Sequence, residues 1–185
     1  MISTKTISIV IGSWGSYNEC NERALGSKWL NLDDFNDWED IEAELVKQGF
    51  ELDGIDEELF IQDIEGLPSS CADWDYTHPE NLFNLIKESG ILKSDYLYEA
   101  MEAFLEVRCM SDFDELVKKH GENWICYVHI YQGFDWYDYG KQFFDDCGYE
   151  LPGCLEDFID FDAYGKYIGE YVEEYSHGLI EIENY

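Results

Sequence analysis

Carboxylates are the side chains that this sequence supplies in excess, with 42 Asp and Glu among 185 residues. Two carboxyl groups can act as acid and base in glycoside hydrolysis, and clustered carboxylates can bind divalent cations. With so many present, some pair must lie at a catalytic distance by chance. Their number alone therefore does not indicate an enzyme, and the first question is whether any motif organises them.

Motifs that would organise a catalytic or metal site do not occur in the sequence. There is no glycine-rich phosphate loop, no GxSxG and no HExxH. The EF-hand pattern fails because Phe35 stands at the third position of a loop starting at Asp33. The histidines lie far apart: His78, His120, His129 and His177. We expect no catalytic residue, metal site or cofactor, and the alternative is an acidic hydrolase or a divalent-metal protein.

The overall charge is the feature of the sequence that says most about function. Eleven Lys and Arg leave a formal charge of −31, yet 45% of the residues are hydrophobic and 17% are aromatic. A chain with this charge and few apolar residues would be disordered, so the aromatic content indicates a folded protein that tolerates repulsion between surface carboxylates. Because of the same charge, we expect no direct binding to nucleic acid. High solubility, halophily and the carriage of divalent cations are the simpler explanations.

One predicted helix, from Ser94 to Val107, arranges its acids in a line. Ser94 is placed to cap its N-terminus, and the apolar residues form a stripe that should face the core: Leu97, Ala100, Met101 and Phe104. The acids fall on the opposite side, and we call them the acidic ridge: Asp95, Glu99, Glu102 and Glu106. Successive acids are about 4.5 to 6 Å apart along the axis, which is moderately wider than the ~3.4 Å phosphate spacing of one DNA strand. An ordinary solvated helix face would look the same.

The elements that position these acids fall into three regions. The first combines strands predicted at 6–11, 28–32 and 58–63 with a turn at 12–15 and an acidic helix at 36–48. The second is mostly helical. The third contains helices starting at Ser111 and covering 135–147 and 163–175, with strands at 124–131 and 179–182. The sequence therefore predicts an α+β fold of three small domains, at 1–67, 68–108 and 109–185.

Cellular location is suggested by what the sequence lacks. It has no transmembrane run and no signal-peptide layout, so we expect a cytoplasmic protein. The six cysteines form no CxxC pair, and in a reducing compartment we expect free, mostly buried thiols.

Short segments along almost the whole chain resemble the ArdA antirestriction family. The family's opening strand, its tyrosine, its G-x-W-[LI]-x-L strand, its acidic antirestriction stretch and its terminal strand have counterparts here. The matching segments are 9–12, 17–18, 25–32, 60–68, 155–171 and 176–182. The departures are a longer loop around 18–24 and a short tail after Ile182, and neither touches the acidic stretches.

The resemblance implies a function that agrees with the charge. ArdA proteins are elongated, three-part homodimers that mimic duplex DNA, are carried by mobile elements and inhibit type I restriction-modification enzymes of a bacterial host. The expected partner is the basic DNA groove of the methyltransferase core, which an array of carboxylates would occupy in place of phosphates. An acidic decoy for another basic DNA-binding protein is the remaining alternative.

Site residues follow from this resemblance as a distributed surface. We expect ten carboxylates to stand in for phosphates: Asp37, Asp40, Glu44, Asp95, Glu99, Glu102, Glu106, Asp157, Asp160 and Asp162. Aromatic residues of the segment 155–171 form the candidate dimer surface: Phe158, Phe161, Tyr164, Tyr167 and Tyr171. An amphipathic helix facing the protein's own core would show the same aromatic pattern.

Overall fold

The computed structural model describes residues 5–67, 78–149, 152–156 and 158–183. Helices and two small antiparallel sheets make up an α+β fold, which confirms the predicted class. Within these ranges, no helix is long and apolar enough to cross a membrane.

The N-terminal sheet has the strand order β2-β1-β3, with β1 at Ser8–Ser13, β2 at Leu30–Asn31 and β3 at Leu59–Glu65. The central strand β1 forms because its β-branched residues alternate, and Ile9 and Ile11 are fully buried. Each such side chain contributes about 1.5 to 3 kcal/mol by leaving water. All three predicted strands are confirmed, although β2 is shorter than expected.

Two helices accompany this sheet. The predicted turn at 12–15 is wrong, because a short helix α1 begins directly after β1, at Trp14–Glu19, with the Ser13 side chain as its cap. The acidic helix α2 spans Trp38–Lys47 and is confirmed. It is amphipathic, and its apolar stripe is buried: Trp38, Ile41 and Leu45.

The described part of the middle region, residues 78–108, is helical, as predicted. Helix α3 spans Pro79–Ser89 and helix α4 spans Asp95–Val107. The Ser94 side chain accepts a hydrogen bond from the Leu97 amide at 3.2 Å, which confirms the predicted cap. The predicted stripe also packs inward, with Ala100, Met101 and Phe104 at most 1% exposed.

Helix α5, at Met110–His120, begins one residue before the predicted start. Ser111 therefore lies inside its first turn, and Cys109 is the cap residue, without a side-chain hydrogen bond.

The strand predicted at 124–131 is only half correct, because a 3₁₀ helix occupies Gly121–Tyr127 and strand β4 covers Val128–Gln132. Trp124 is fully buried, and its indole N–H donates to the Ser89 carbonyl at 2.8 Å. This bond satisfies a polar group that burial would otherwise leave unpaired.

The C-terminal region contains α6 at Trp136–Asp146, α7 at Gly153–Glu156 and α8 at Phe161–Ile168. Its sheet has the order β4-β6-β5, with β5 at Val172–Tyr175 and β6 at Gly178–Ile182. The helix predicted at 135–147 and the last strand are confirmed.

The helix predicted at 163–175 is wrong in its second half. Gly169 ends α8 where an added Cβ would lie 2.7 Å from the Trp136 ring, and the chain continues as β5. Val172 is then buried in that strand.

Helices α6 and α8 pack with their backbones nearly touching. A Cβ on Gly140 would lie 2.2 Å from the Phe161 carbonyl oxygen, and one on Gly165 would lie 2.2 Å from the Trp136 carbonyl oxygen. Only residues without a side chain allow this approach. The pair of glycines therefore fixes where the two helices cross.

One cluster of buried side chains runs from Ile7 to Ile182, and a smaller one contains Tyr139, Val172 and Leu179. The domain boundaries at 67/68 and 108/109 stay a prediction.

The expectation of mostly buried thiols is not met at the cysteines whose side chains are described, since these are free and exposed: Cys20, Cys109, Cys126 and Cys147.

Candidate functional site

The acidic ridge lies on α4, opposite the buried stripe. Glu106 is exposed, whereas Asp95, Glu99 and Glu102 are half-buried. The ridge residues therefore differ in their access to solvent, which their spacing in the sequence could not indicate.

Glu99 and Glu102 are half-buried because they line a shallow cleft between α4 and the C-terminal sheet. One wall carries Glu99, Glu102 and Glu106. The opposite wall comes from β4, β5 and the turn after β5: Ile130, Gln132, Tyr175 and His177. Three carboxylates thus face a wall that is largely uncharged.

The C-terminal end of the ridge is bound to the turn between β5 and β6. Glu106 accepts two hydrogen bonds from Ser176, one from its amide at 2.7 Å and one from its hydroxyl at 2.8 Å. Close by, Arg108 forms an ion pair with Glu173. Glu106 is consequently an anchor of the fold as well as a surface charge.

Electrostatic crowding is greatest at Glu102. Burial raises the pKa of its carboxyl group, and the neighbouring charges of Glu99 and Glu106 raise it further, against opposing effects of Lys5 and His177. Burial and the neighbouring Glu102 raise the pKa of Tyr98 to about 12. Burial, Glu106 and Glu99 also raise the pKa of Tyr175. The cleft is therefore a region of concentrated negative potential.

The acids of α2 have local partners instead. Asp37 caps the helix by accepting from the Asp40 amide at 3.0 Å, and Asp40 accepts from the Asn36 amide and side chain at 3.1 and 3.2 Å. Glu44 forms hydrogen bonds with Gln48 and Lys47, which together lower the pKa of its carboxyl group. Asp37 and Asp40 remain exposed and Glu44 is half-buried.

The predicted acids near α8 are likewise used locally. Asp160 caps α8 by accepting from the Ala163 amide at 3.0 Å, and Asp162 pairs with Lys166 at 2.8 Å. Asp157 lies outside the described residues.

The candidate dimer surface is divided by the structure. Phe158 and Tyr167 are strongly exposed, at 83% and 85%, and Tyr171 is 46% exposed. The prediction for Phe161 is wrong, because this side chain is only 2% exposed and its ring lies 5.6 Å from that of Phe144. Tyr164 is half-buried.

A buried ionic network in the N-terminal region has no local signal in the sequence. Asp56 is fully buried, pairs with Arg23 at 2.9 Å, accepts from the Glu51 amide at 2.9 Å and accepts from the Ser16 hydroxyl. Burial alone would raise the pKa of Asp56, but the hydrogen bonds and the Arg23 charge lower it overall. This network ties the segment after β1 to the loop before β3.

In the parts of the chain that the structure describes, no three His, Cys, Asp or Glu side chains come together in a way that could hold a metal ion. The carboxylates are spread over several helices instead. Fold and surface thus define the class: a strongly acidic α+β protein with a distributed anionic surface.

The family follows from comparison with known proteins. The model of the antirestriction protein (ArdA) family matches residues 9–181, so this chain belongs to the ArdA family. Members of the family act against type I restriction-modification enzymes and are inhibitor proteins rather than enzymes. No curated protein matches the chain. The resemblance found in the sequence is confirmed.

Proposed function

We propose that this protein mimics the charge and shape of duplex DNA and inhibits type I restriction-modification enzymes by occupying their DNA-binding groove. The observation that carries the proposal is the net charge of −31, held by a folded chain whose carboxylates are displayed on α2, α4 and α8. A groove built for phosphates attracts such a surface.

Physical arguments favour a decoy that works against many enzymes. The basic side chains of a DNA groove gain affinity by releasing counterions from phosphate, and carboxylates can substitute for that charge. Sequence recognition needs base edges, which a protein surface lacks. The decoy would therefore bind irrespective of the recognition sequence, and opposite potentials would speed the encounter.

The mimic is proposed to be an elongated homodimer of three-part chains, acting in the cytoplasm of a bacterium that has received a mobile element. Phe158, Tyr167 and Tyr171 are the exposed aromatic residues that would serve a dimer contact. Small-angle scattering should show a long particle of twice the chain mass. A compact monomer would remove the geometric basis of mimicry.

The test removes charge from the ridge without removing its anchor. In the variant Asp95→Asn, Glu99→Gln, Glu102→Gln, the Glu106 contacts to Ser176 remain. Each lost charge should cost about 0.2 to 1 kcal/mol of binding. Affinity for a type I methyltransferase complex, measured in competition with its DNA, should therefore fall by roughly three- to 150-fold.

The matched control is Asp34→Asn, Asp53→Asn, Glu65→Gln, three exposed acids of the N-terminal region outside the predicted phosphate-mimic residues. Equal losses in both variants would mean that net charge alone matters, and no loss in either would remove the mimicry proposal. Inhibition by the wild-type protein should also weaken as salt is raised. If it persists undiminished, the binding is not electrostatic.

A further inference from the structure

Three aromatic rings of the N-terminal region form a contact cluster, which we call the aromatic triad. Trp14 of α1 stacks on Phe60 of β3, with ring centroids 4.2 Å apart and an interplanar angle of 22°. Tyr17 lies edge-on to both, at 6.0 and 6.4 Å. Trp14 is nevertheless 43% exposed and Tyr17 is 54% exposed. The triad therefore keeps two large aromatic side chains in contact with solvent.

The base of the triad is built by a glycine. Gly12 pairs with Phe60 across β1 and β3, and a Cβ at Gly12 would lie 2.5 Å from the Phe60 ring. The ring therefore rests directly on the strand backbone, in a position that only a residue without a side chain provides. Phe60 in turn supports the stacked face of Trp14, so the other side of Trp14 points away from the sheet.

Helix α1, which carries the other two rings, is held on several sides. The Trp14 amide donates to the Glu58 carbonyl at 3.0 Å. A Cβ at Gly15 would lie 1.9 Å from the Ile55 carbonyl oxygen, so the helix backbone packs directly on that loop. Cys20, in the left-handed region with φ of 52°, ends the helix.

The buried ionic network also holds helix α1 in place, through its buried residue Ser16. The Ser16 hydroxyl, between Trp14 and Tyr17 in α1, donates to Asp56, which is held by Arg23. A binding surface that is rigid before contact loses little conformational entropy when it binds. The helix that carries the exposed rings is therefore held in place before any partner binds. Trp and Tyr are also the residues that contribute most to binding energy at protein interfaces.

The chemistry of the occupant follows from charge complementarity. A partner that faces a surface with a net charge of −31 presents Lys and Arg. Exposed carboxylates flank the triad in the chain at Glu19, Glu57 and Glu58. A guanidinium group stacks well on an indole face, because its charge interacts with the ring quadrupole and it is weakly hydrated.

We propose that the aromatic triad takes an arginine side chain of the basic protein that this chain binds, stacked on the side of Trp14 that faces away from Phe60. The inference rests on the proposed function only in requiring a basic partner. It adds a contact that attracts a cation through a ring rather than through a carboxylate, outside the predicted phosphate-mimic residues.

The decisive experiment replaces Trp14 with tryptophans that carry increasing numbers of ring fluorines, incorporated at that position alone. Fluorine withdraws electron density from the ring face and weakens cation attraction, while the ring stays apolar and nearly the same size. Affinity for the type I methyltransferase complex should fall stepwise with fluorination, and Trp14→Leu should lose about five- to thirty-fold. Affinity that stays flat or rises along the series would overturn the arginine contact.

Trp29→Leu is the matched control, because Trp29 is exposed to a similar extent, at 49%, and lies just before β2 on the opposite edge of the sheet. It should leave affinity unchanged, and an equal loss in both variants would overturn a specific role for the triad. Thermal unfolding should show both variants folded. A Trp14→Leu protein whose homodimer dissociates, as measured by sedimentation, would identify the triad as a contact between copies instead.

A second measurement separates this inference from the proposed function. An oligo-arginine peptide is titrated with the protein, and the side-chain methylene resonances of the peptide are followed by NMR. Stacking on an indole should shift them upfield with the wild-type protein, and Trp14→Leu should abolish the shift. This result would support the arginine site even if no methyltransferase bound. A shift that persists in Trp14→Leu would overturn it.

Discussion

The N-terminal region and helix α4 both carry many acids, but their carboxylates have different surroundings. In residues 5–67, Asp56 forms an ion pair with Arg23. Glu44 accepts hydrogen bonds from Lys47 and Gln48. Asp37, the cap of α2, accepts a hydrogen bond from the Asp40 amide. On α4, Glu99, Glu102 and Glu106 line one wall of a shared cleft.

The difference teaches that the same residue type can have opposite effects on stability. A carboxylate with donors around it stabilises the folded state, and its pKa falls. A half-buried carboxylate beside others destabilises it, and its pKa rises, as at Glu102. Proteins whose charge serves binding can carry the second kind because the surrounding core supplies the missing stability.

The largest change in the free energy of unfolding should come from replacing Asp56, the buried acid that pairs with Arg23. Asp56→Asn removes the charge that compensates Arg23 in a fully buried position, and we expect a loss of about 3 kcal/mol in the free energy of unfolding. The folded-state pKa of Asp56 is depressed, so this stabilisation is present above the unfolded pKa and is lost as pH falls through the folded pKa. Urea unfolding at several pH values measures both.

Glu51→Gln is the control for this prediction, because Glu51 lies 4.0 Å from the same Arg23 and its side chain is 70% exposed. We expect a change within about 0.5 kcal/mol. A similar result for the two variants would contradict the distinction between buried and exposed partners of Arg23.

An intermediate effect should come from the helix caps, where the two regions should behave alike. Ser94 caps α4 and Asp37 caps α2 through one amide each. Replacing either with Ala should cost about 1 kcal/mol, as measured by thermal unfolding. A cost at α2 well above that at α4 would show that the Asp37 charge adds a large interaction with the helix dipole.

The smallest effect, of opposite sign, should come from Glu102→Gln. Removing this charge relieves repulsion from Glu99 and Glu106 and gives up the attraction of Lys5 and His177. The free energy of unfolding at pH 7 should rise by about 0.5 kcal/mol. A decrease would mean that the attractive contacts outweigh the crowding.

The pH dependence gives a second check on Glu102. Its folded-state pKa is raised, so the folded protein binds more protons than the unfolded chain between the two pKa values, and stability falls as pH rises through that window. The advantage of Glu102→Gln should therefore be full above the raised pKa and vanish below the usual value of 4.5. Glu44→Gln removes a carboxyl group whose folded-state pKa is lowered, so it is the comparison that should show the opposite pH trend.

Much of the fold could be predicted because its signals are local. The alternating isoleucines of β1, the apolar stripe of α4 and the Ser94 cap depend on neighbouring residues only. The errors arise where distant contacts decide. Trp124 has the pattern of a strand residue, yet its bond to Ser89 places it in a 3₁₀ helix.

The candidate site shows the same limit. Spacing along α4 correctly separates the acids from the buried stripe, but it cannot reveal the cleft, whose other wall comes from residues 130–177. Asp56 is one of several acids in the loop before β3, and no local signal marks it as the buried one. The aromatic residues near α8 suggested one surface, although the helix directs Phe161 inward.

The order of the C-terminal sheet has a consequence for biosynthesis. Its middle strand, β6, is made last, and it separates β4 from β5. Until residue 182 has been synthesised, β4 and β5 both lack part of the strand with which they pair. The hydrogen bond to Glu106 can form only after Ser176 has been synthesised. The N-terminal sheet is complete once residue 65 is made. Translation thus leaves the edges of β4 and β5 unpaired until β6 has been made, and unpaired strand edges make a folding chain prone to aggregation.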